Sequence, residues 1–175
     1  MSLSVQEQAL LRVSKSKRQV LAGFKEGVYL QTTTGRPIDD LRAQACADRL
    51  GLALGFQAMA DRLMRTRPPM FRAAVGRYYY AMYHAMRAVV FYTAEGDDHE
   101  QHSDLPSKVP HDFPRIGYWQ NELKDARLRR NEADYDPYPD QDATFRDVAR
   151  HLATQCSDMV AEAQSYLRRK GCAYV

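Results

Sequence analysis

A chain of 175 residues with 45% hydrophobic content can bury one sizeable core, and its net charge of +3 is too small to mark a nucleic-acid protein by its sum alone. No run approaches eighteen uninterrupted apolar residues, and the opening "MSLSVQEQALLRVSKSKR" has neither a signal-peptide core nor an anchor, so a soluble, cytoplasmic protein without membrane association is expected. Cys46, Cys156 and Cys172 are scattered and lack CxxC spacing, which argues against a disulfide framework or a structural zinc site.

In chain order, one N-terminal helix is predicted from about Val5 to Phe24, followed by a break at "TTTGRP", so that residues 1–36 form a helical extension and 37–170 the main domain. Pro37 with Asp39 and Asp40 opens a second helix that runs to about Arg65, because proline suits a first helical turn and acids favour the positive helix end. "RTRPP" ends it, since residues before proline are pushed from helical geometry. The next helix, about Pro69 to Thr93, has Tyr79, Met82, Met86, Val89 and Val90 on a core face; Arg77, Ala81, His84 and Ala88, flanked by Tyr80, form a smaller polar stripe.

Residues 95 to about 115 carry Gly96 and three prolines and read as a long loop or broken segment, of a length that tends to be functional. A helix over about Arg115 to Asp134 stops at Asp136-Pro137. The last, about Asp140 to Arg169, places Phe145, Val148, Leu152, Cys156, Met159, Ala163 and Leu167 at threes and fours. No segment shows strand alternation. The expected fold is all-α: an antiparallel up-and-down bundle of four main helices plus the N-terminal helix.

Charge is uneven. Arg62, Arg65, Arg67, Arg72, Arg77 and Arg87 face only Asp61 over that stretch, and "EGDDHEQHSD" then turns acidic, a pattern that fits either a polar site or two ordinary solvated faces. Phosphate-loop, dinucleotide, zinc-protease and serine-hydrolase signatures are all absent. Within the acidic stretch His99 and His102 with Asp97, Asp98 and Asp104 are chemically suited to a metal, but no third ligand is fixed by spacing, so neither a metal nor any other cofactor is expected.

"VGRYYYAMYHAMRAVV", then "QHSD", then "LRRNEADYDP" together resemble the HEPN domain family, in its small prokaryotic branch with an Arg-x-Tyr-Tyr-Ala segment and a late Arg-x-x-Ala-Asp-Tyr. The resemblance covers roughly residues 50–168 and leaves the first 45 outside it. It implies a homodimer in which both copies of the late motif face one cleft, and in nuclease members a metal-independent cleavage of RNA by an arginine, a polar residue and a histidine. Arg130 stands at the arginine and Asn131 at the polar residue; Tyr135 stands where the histidine belongs. A guanidinium can hold the scissile phosphate while a histidine near neutral pKa moves the 2′-hydroxyl proton. A tyrosine, with an ordinary pKa of about 10, is a poor base at pH 7.

The residues expected to carry chemistry are therefore Arg130, Asn131 and Tyr135 with His84, and those expected to bind are Arg77, Tyr80, His102 and Asp134. Each has a structural reading beside the functional one. Arg130 and Asp134 stand at i, i+4 and can pair; Arg77 can reach Asp134 across helices; His84 can be a hydrogen-bonded packing histidine; Tyr78, Tyr79, Tyr80 and Tyr83 can be core or dimer surface. Two functions follow: an RNA- or nucleotide-binding protein acting as an endoribonuclease or toxin-like effector, or a non-catalytic interaction module that partners a nucleotidyltransferase-like or other protein.

Overall fold

The computed structural model describes residues 3–96 and 102–175. Among these every regular element is a helix: α1 (Val5–Ser14), α2 (Arg18–Thr34), α3 (Ile38–Arg65), α4 (Phe71–Ala94), α5 (Leu105–Lys108), α6 (Ile116–Tyr135), a 3₁₀ turn (Asp142–Phe145) and α7 (Arg146–Arg169). None of the helices described is long and apolar enough to cross a membrane. Two compact units divide at Leu41/Arg42.

In the first unit the single helix expected over 5–24 is two. Ser14 Oγ donates to Leu11 O and Ser16 Oγ to Arg12 O, so the serines compete with the helical ladder and the chain breaks at Lys15–Lys17. The second helix then runs through Gly23 and Gly27 to Thr34 and ends at Gly35, whose φ of 68° is the left-handed cap conformation that glycine adopts without strain. Neither α1 nor α2 buries a residue; Leu10, Val13, Val20, Val28 and Tyr29 are all exposed.

The second unit is organised around α4, which packs most extensively on α7 and next on α6. Its polar stripe is not solvated: Ala81 and Ala88 are fully buried along with Met82, Met86 and Val89, because neighbours cover the helix on several sides. Only Arg77, Tyr80 and His84 on that stripe stay half-buried. From α3, Cys46 Sγ–H approaches Ala88 O at 3.4 Å and Asp61 accepts from the Tyr78 hydroxyl at 2.7 Å. The three cysteines are free and buried. Leu152, Cys156, Met159, Ala163 and Leu167 of α7 fill the core at the spacing read from the sequence. The segment before α6 is more ordered than a long loop: Leu105, Pro106, Val109 and Phe113 are buried, which anchors α5.

Two long-range contacts fix the helix ends that matter below. No side chain of its own caps α4; instead the Asp142 carboxylate accepts from the backbone N–H groups of Phe71 and Arg72 at 2.8 and 2.9 Å. This anion satisfies two orphan donors at the positive end of the helix. Arg72 in turn donates to the backbone carbonyls of Ala133 (2.6 Å), Asp136 and Pro139 (3.1 Å), closing the C-terminal end of α6. Asp142→Ala leaves those two N–H groups without their partner, and we expect it to lower unfolding stability by about 1–2 kcal/mol, with Asp142→Asn intermediate, in urea titrations.

Candidate functional site

The face of α6 that carries Arg127, Arg130, Asn131 and Tyr135 lies at steps of three, one and four residues, so the four side chains share one side of the helix. Opposite them stand Tyr79 from α4 and His102, just before α5, and these six residues line an open cavity of about 410 Å³. None of the six is acidic. The sequence thus placed Arg130, Asn131, Tyr135 and His102 as site residues, and the fold brings all four to one cavity.

Arg130 is the most tightly framed of them. Its side chain is 17% exposed; Nε lies 2.8 Å from Asp134 Oδ2, one terminal nitrogen donates to Asn131 Oδ1 at 3.1 Å and the other to the Tyr80 hydroxyl at 2.5 Å. The guanidinium also lies over the Tyr80 ring at 5.2 Å and the Tyr135 ring at 4.8 Å. The Asp134 contact is an ion pair by distance, although the buried Nε–H is not directed at the oxygen and so lacks a hydrogen bond. The attraction persists at this separation, because charge–charge energy depends on distance more than on N–H direction. Burial works to lower the Arg130 pKa, and Tyr135, Tyr80 and Asp134 together outweigh it, so the group is held charged. With five N–H donors in all and two given to Asn131 and Tyr80, the fork keeps donors for a ligand.

The expected Arg130–Asp134 pair therefore exists, and the cavity opens on the same guanidinium. Asp134 reaches it by resting against α4 at Gly76, where a Cβ would stand 3.1 Å from Asp134 Oδ1. That close approach is what the glycine permits. Arg127, one turn before Arg130, makes no ion pair with a described residue and brings a second positive charge to the cavity. Tyr135 is 68% exposed and covers Arg130 from the solvent side as a rim.

His102 is fixed by tyrosines of α4. Its ring stacks on Tyr83 at 3.9 Å between centroids and 7° between planes, and Nδ1 lies 2.7 Å from the Tyr79 hydroxyl. Burial pushes its pKa down, and Arg130, Arg127 and Arg87 push the same way, so the imidazole is neutral at pH 7. The Tyr79 phenol is raised by burial, against the opposing pull of Arg127 and Arg130.

Arg77 and His84 do not line this cavity. Arg77 makes no ion pair with Asp134. His84 lies flat on Phe56 at 5.4 Å and 2° and meets the Tyr83 ring edge-on, with Nδ1 buried and unbonded. It packs against these rings, but without the Nδ1 hydrogen bond that a hydrogen-bonded packing histidine would have. Burial first, then Arg87, Arg49 and His102, push its pKa down to about 4. The unfolded chain takes up this proton as pH falls through about 6.5 while the folded state does not until about 4, so stability falls over that window. His84→Phe should remove at most about 2 kcal/mol of the stability lost between pH 7 and pH 5, read as a flatter dependence of the urea midpoint on pH.

Arg127 and Tyr79 were missed as site residues. Arg127 shares the wheel position of Arg130 and Asn131 and was legible from that spacing; Tyr79 is 2% exposed and reads as core, with only its hydroxyl reaching the cavity. The His99, Asp97 and Asp98 ligands of the metal reading lie outside the described residues, and among the described residues no group of three metal-ligating side chains converges. No family model, curated protein or solved structure matches the chain.

Proposed function

We propose that the protein is a HEPN-like, RNA- or nucleotide-binding protein whose helices form an antiparallel bundle and which acts in a homodimer cleft as a metal-independent endoribonuclease of the toxin-like kind. The composition of the cavity carries this reading: two arginines, a side-chain amide, two tyrosines and a neutral histidine, with no carboxylate among the lining residues. Such a set binds an anion, and a planar guanidinium fork suits phosphate. Arg130 holds the phosphate, Asn131 fixes the Arg130 fork and Tyr135 closes the rim, while Tyr80 and Asp134 orient Arg130 from behind. Arg127 adds charge.

A second reading, the interaction module partnering a nucleotidyltransferase-like or other protein, draws on the first unit. Its two helices leave an apolar groove of about 700 Å³ lined by Val13, Leu21, Ala22 and Phe24 with Arg18 and Lys25. Fluorescence anisotropy with a single-stranded RNA oligonucleotide in EDTA separates the two. Salt-sensitive binding that Arg130→Ala and Arg127→Ala each weaken supports the RNA reading. Absence of binding at low salt by folded protein gives the case to the interaction module.

A further inference from the structure

The motif position of the expected histidine is occupied by Tyr135, and the cavity contains a histidine from another part of the chain. His102 precedes α5, whose Leu105 and Pro106 are buried and tether it to the core. Its ring is held on three sides by α4: stacked on Tyr83, edge-on to Tyr80 at 6.1 Å and 83°, and bonded through Nδ1 to Tyr79. A ring so held has one nitrogen committed and one to offer. Nε2 makes no hydrogen bond to a described residue, and His102 lines the cavity together with Arg127 and Arg130.

We infer that His102, from outside the late motif, is the proton acceptor of the site, taking over the role for which Tyr135 is unsuited. This rests on the endoribonuclease reading given above. In the tautomer that serves the role, Nδ1–H donates to the Tyr79 oxygen and Nε2 keeps its lone pair for the substrate. Tyr79 is then a positioning residue: its hydroxyl takes the Nδ1–H in this tautomer and fixes the ring plane. The 2′-hydroxyl gives its proton to Nε2 as the O2′–P bond forms. The P–O5′ bond breaks, the departing 5′ oxygen takes a proton from water, and His102 returns its own to water. The products are a 2′,3′-cyclic phosphate and a 5′-hydroxyl. Arg130 and Arg127 face the phosphate whose charge builds in the transition state.

The state of His102 supports the step. Its neutral form is the one required, and burial together with Arg130 and Arg127 of α6 and Arg87 of α4 keeps it neutral below the ordinary histidine range. Tyr79, Tyr80, Tyr83 and His84 are the other titratable groups around it on α4. Cleavage therefore persists below pH 6.5, about the ordinary histidine value, and falls only as His102 gains its proton.

The experiment measures binding and cleavage separately, in EDTA, on one RNA oligonucleotide and its 2′-O-methyl counterpart, with purified full-length protein. His102→Gln should bind RNA within about threefold of the unaltered protein yet cleave about 100-fold more slowly, and added imidazole should restore part of the activity of His102→Ala. The 2′-O-methyl strand should bind and stay intact. Tyr79→Phe should move the acid limb of the pH–rate profile, and Arg127→Ala should move it upward by removing a positive neighbour. His102→Gln that cleaves at the unaltered rate overturns the inference and leaves the endoribonuclease reading standing, whereas unaltered protein that binds RNA without cleaving it overturns the inference and the nuclease reading together and leaves phosphate binding standing. Unaltered protein that does not bind RNA overturns all three. Should both His102 variants misfold, the acid limb decides: a limb that Arg127→Ala raises supports His102, and a limb that Arg127→Ala leaves in place overturns it.

Discussion

Arg130→Ala is expected to lower RNA affinity about 10- to 100-fold and cleavage by a further factor of about 100, with a loss of unfolding stability of about 1 kcal/mol from the partners it leaves. The reason lies in what surrounds the guanidinium. It donates to Asn131 and Tyr80 and lies against Asp134, and the same group faces the cavity. Removing it takes one positive charge from the site and releases the Asp134 carboxylate, 35% exposed, from its nearest cation. The local balance then passes from two arginines against one carboxylate to one against one. An incoming phosphate loses its fork and meets an unscreened negative charge. The slope of log affinity against log salt should fall by about 0.7, the share of one phosphate contact on single-stranded nucleic acid. Arg130→Lys should keep much of the salt dependence while losing most of the cleavage, because a lysine supplies charge without the planar fork. Equal affinity for RNA in Arg130→Ala and unaltered protein would move the ligand out of this cavity.

Arg127 has no ion pair to lose with a described residue, so Arg127→Ala should act through charge alone, at about a tenth of the Arg130→Ala effect on cleavage.

Local patterns were legible in the sequence, and contacts between distant segments were not. Helix-forming periods, prolines at Pro68, Pro69 and Pro137 and the face of α6 follow from residues within a few turns of each other, and these placed α3, α4, α6 and α7 within a few residues of where they lie. Arg130, Asn131 and Tyr135 were legible for the same reason. The break at Lys15–Lys17 was not, because a serine's choice between solvent and a carbonyl one turn back leaves no mark in hydrophobic periodicity. Burial of both sides of α4 was hidden because alanines suit a solvated stripe and a close helix–helix contact equally. His102 could be suspected but not placed: its position depends on Leu105 and Phe113 finding the core and on a stacking partner 19 positions away, Tyr83. Arg72 and Asp142 gave no local signal at all, since each serves backbone groups some 60 to 70 positions distant.

Arg72 is where that hidden layer should weigh most on stability. Its guanidinium serves Ala133, Asp136 and Pro139 through their carbonyl oxygens and lies over the Phe145 ring at 5.0 Å. The last carbonyls of a helix have no intrahelical partner and carry the negative end of its dipole, so a cation with several donors is the fitting closure for α6. Arg72→Ala should cost about 3 kcal/mol of unfolding stability, and Arg72→Lys about 2, since one ammonium cannot span three separated acceptors. Equilibrium urea unfolding measures both. The same change frees the end of α6 that carries Asp134 and Tyr135, so RNA affinity should weaken in the folded Arg72→Ala protein even though Arg72 is not among the cavity's lining residues. Arg130→Ala should show the opposite weighting, a larger loss of ligand and a smaller loss of stability. If Arg72→Ala and Arg130→Ala weakened RNA binding equally with no loss of stability in either, Arg72 would be a ligand contact and its role as the clamp on α6 would be wrong.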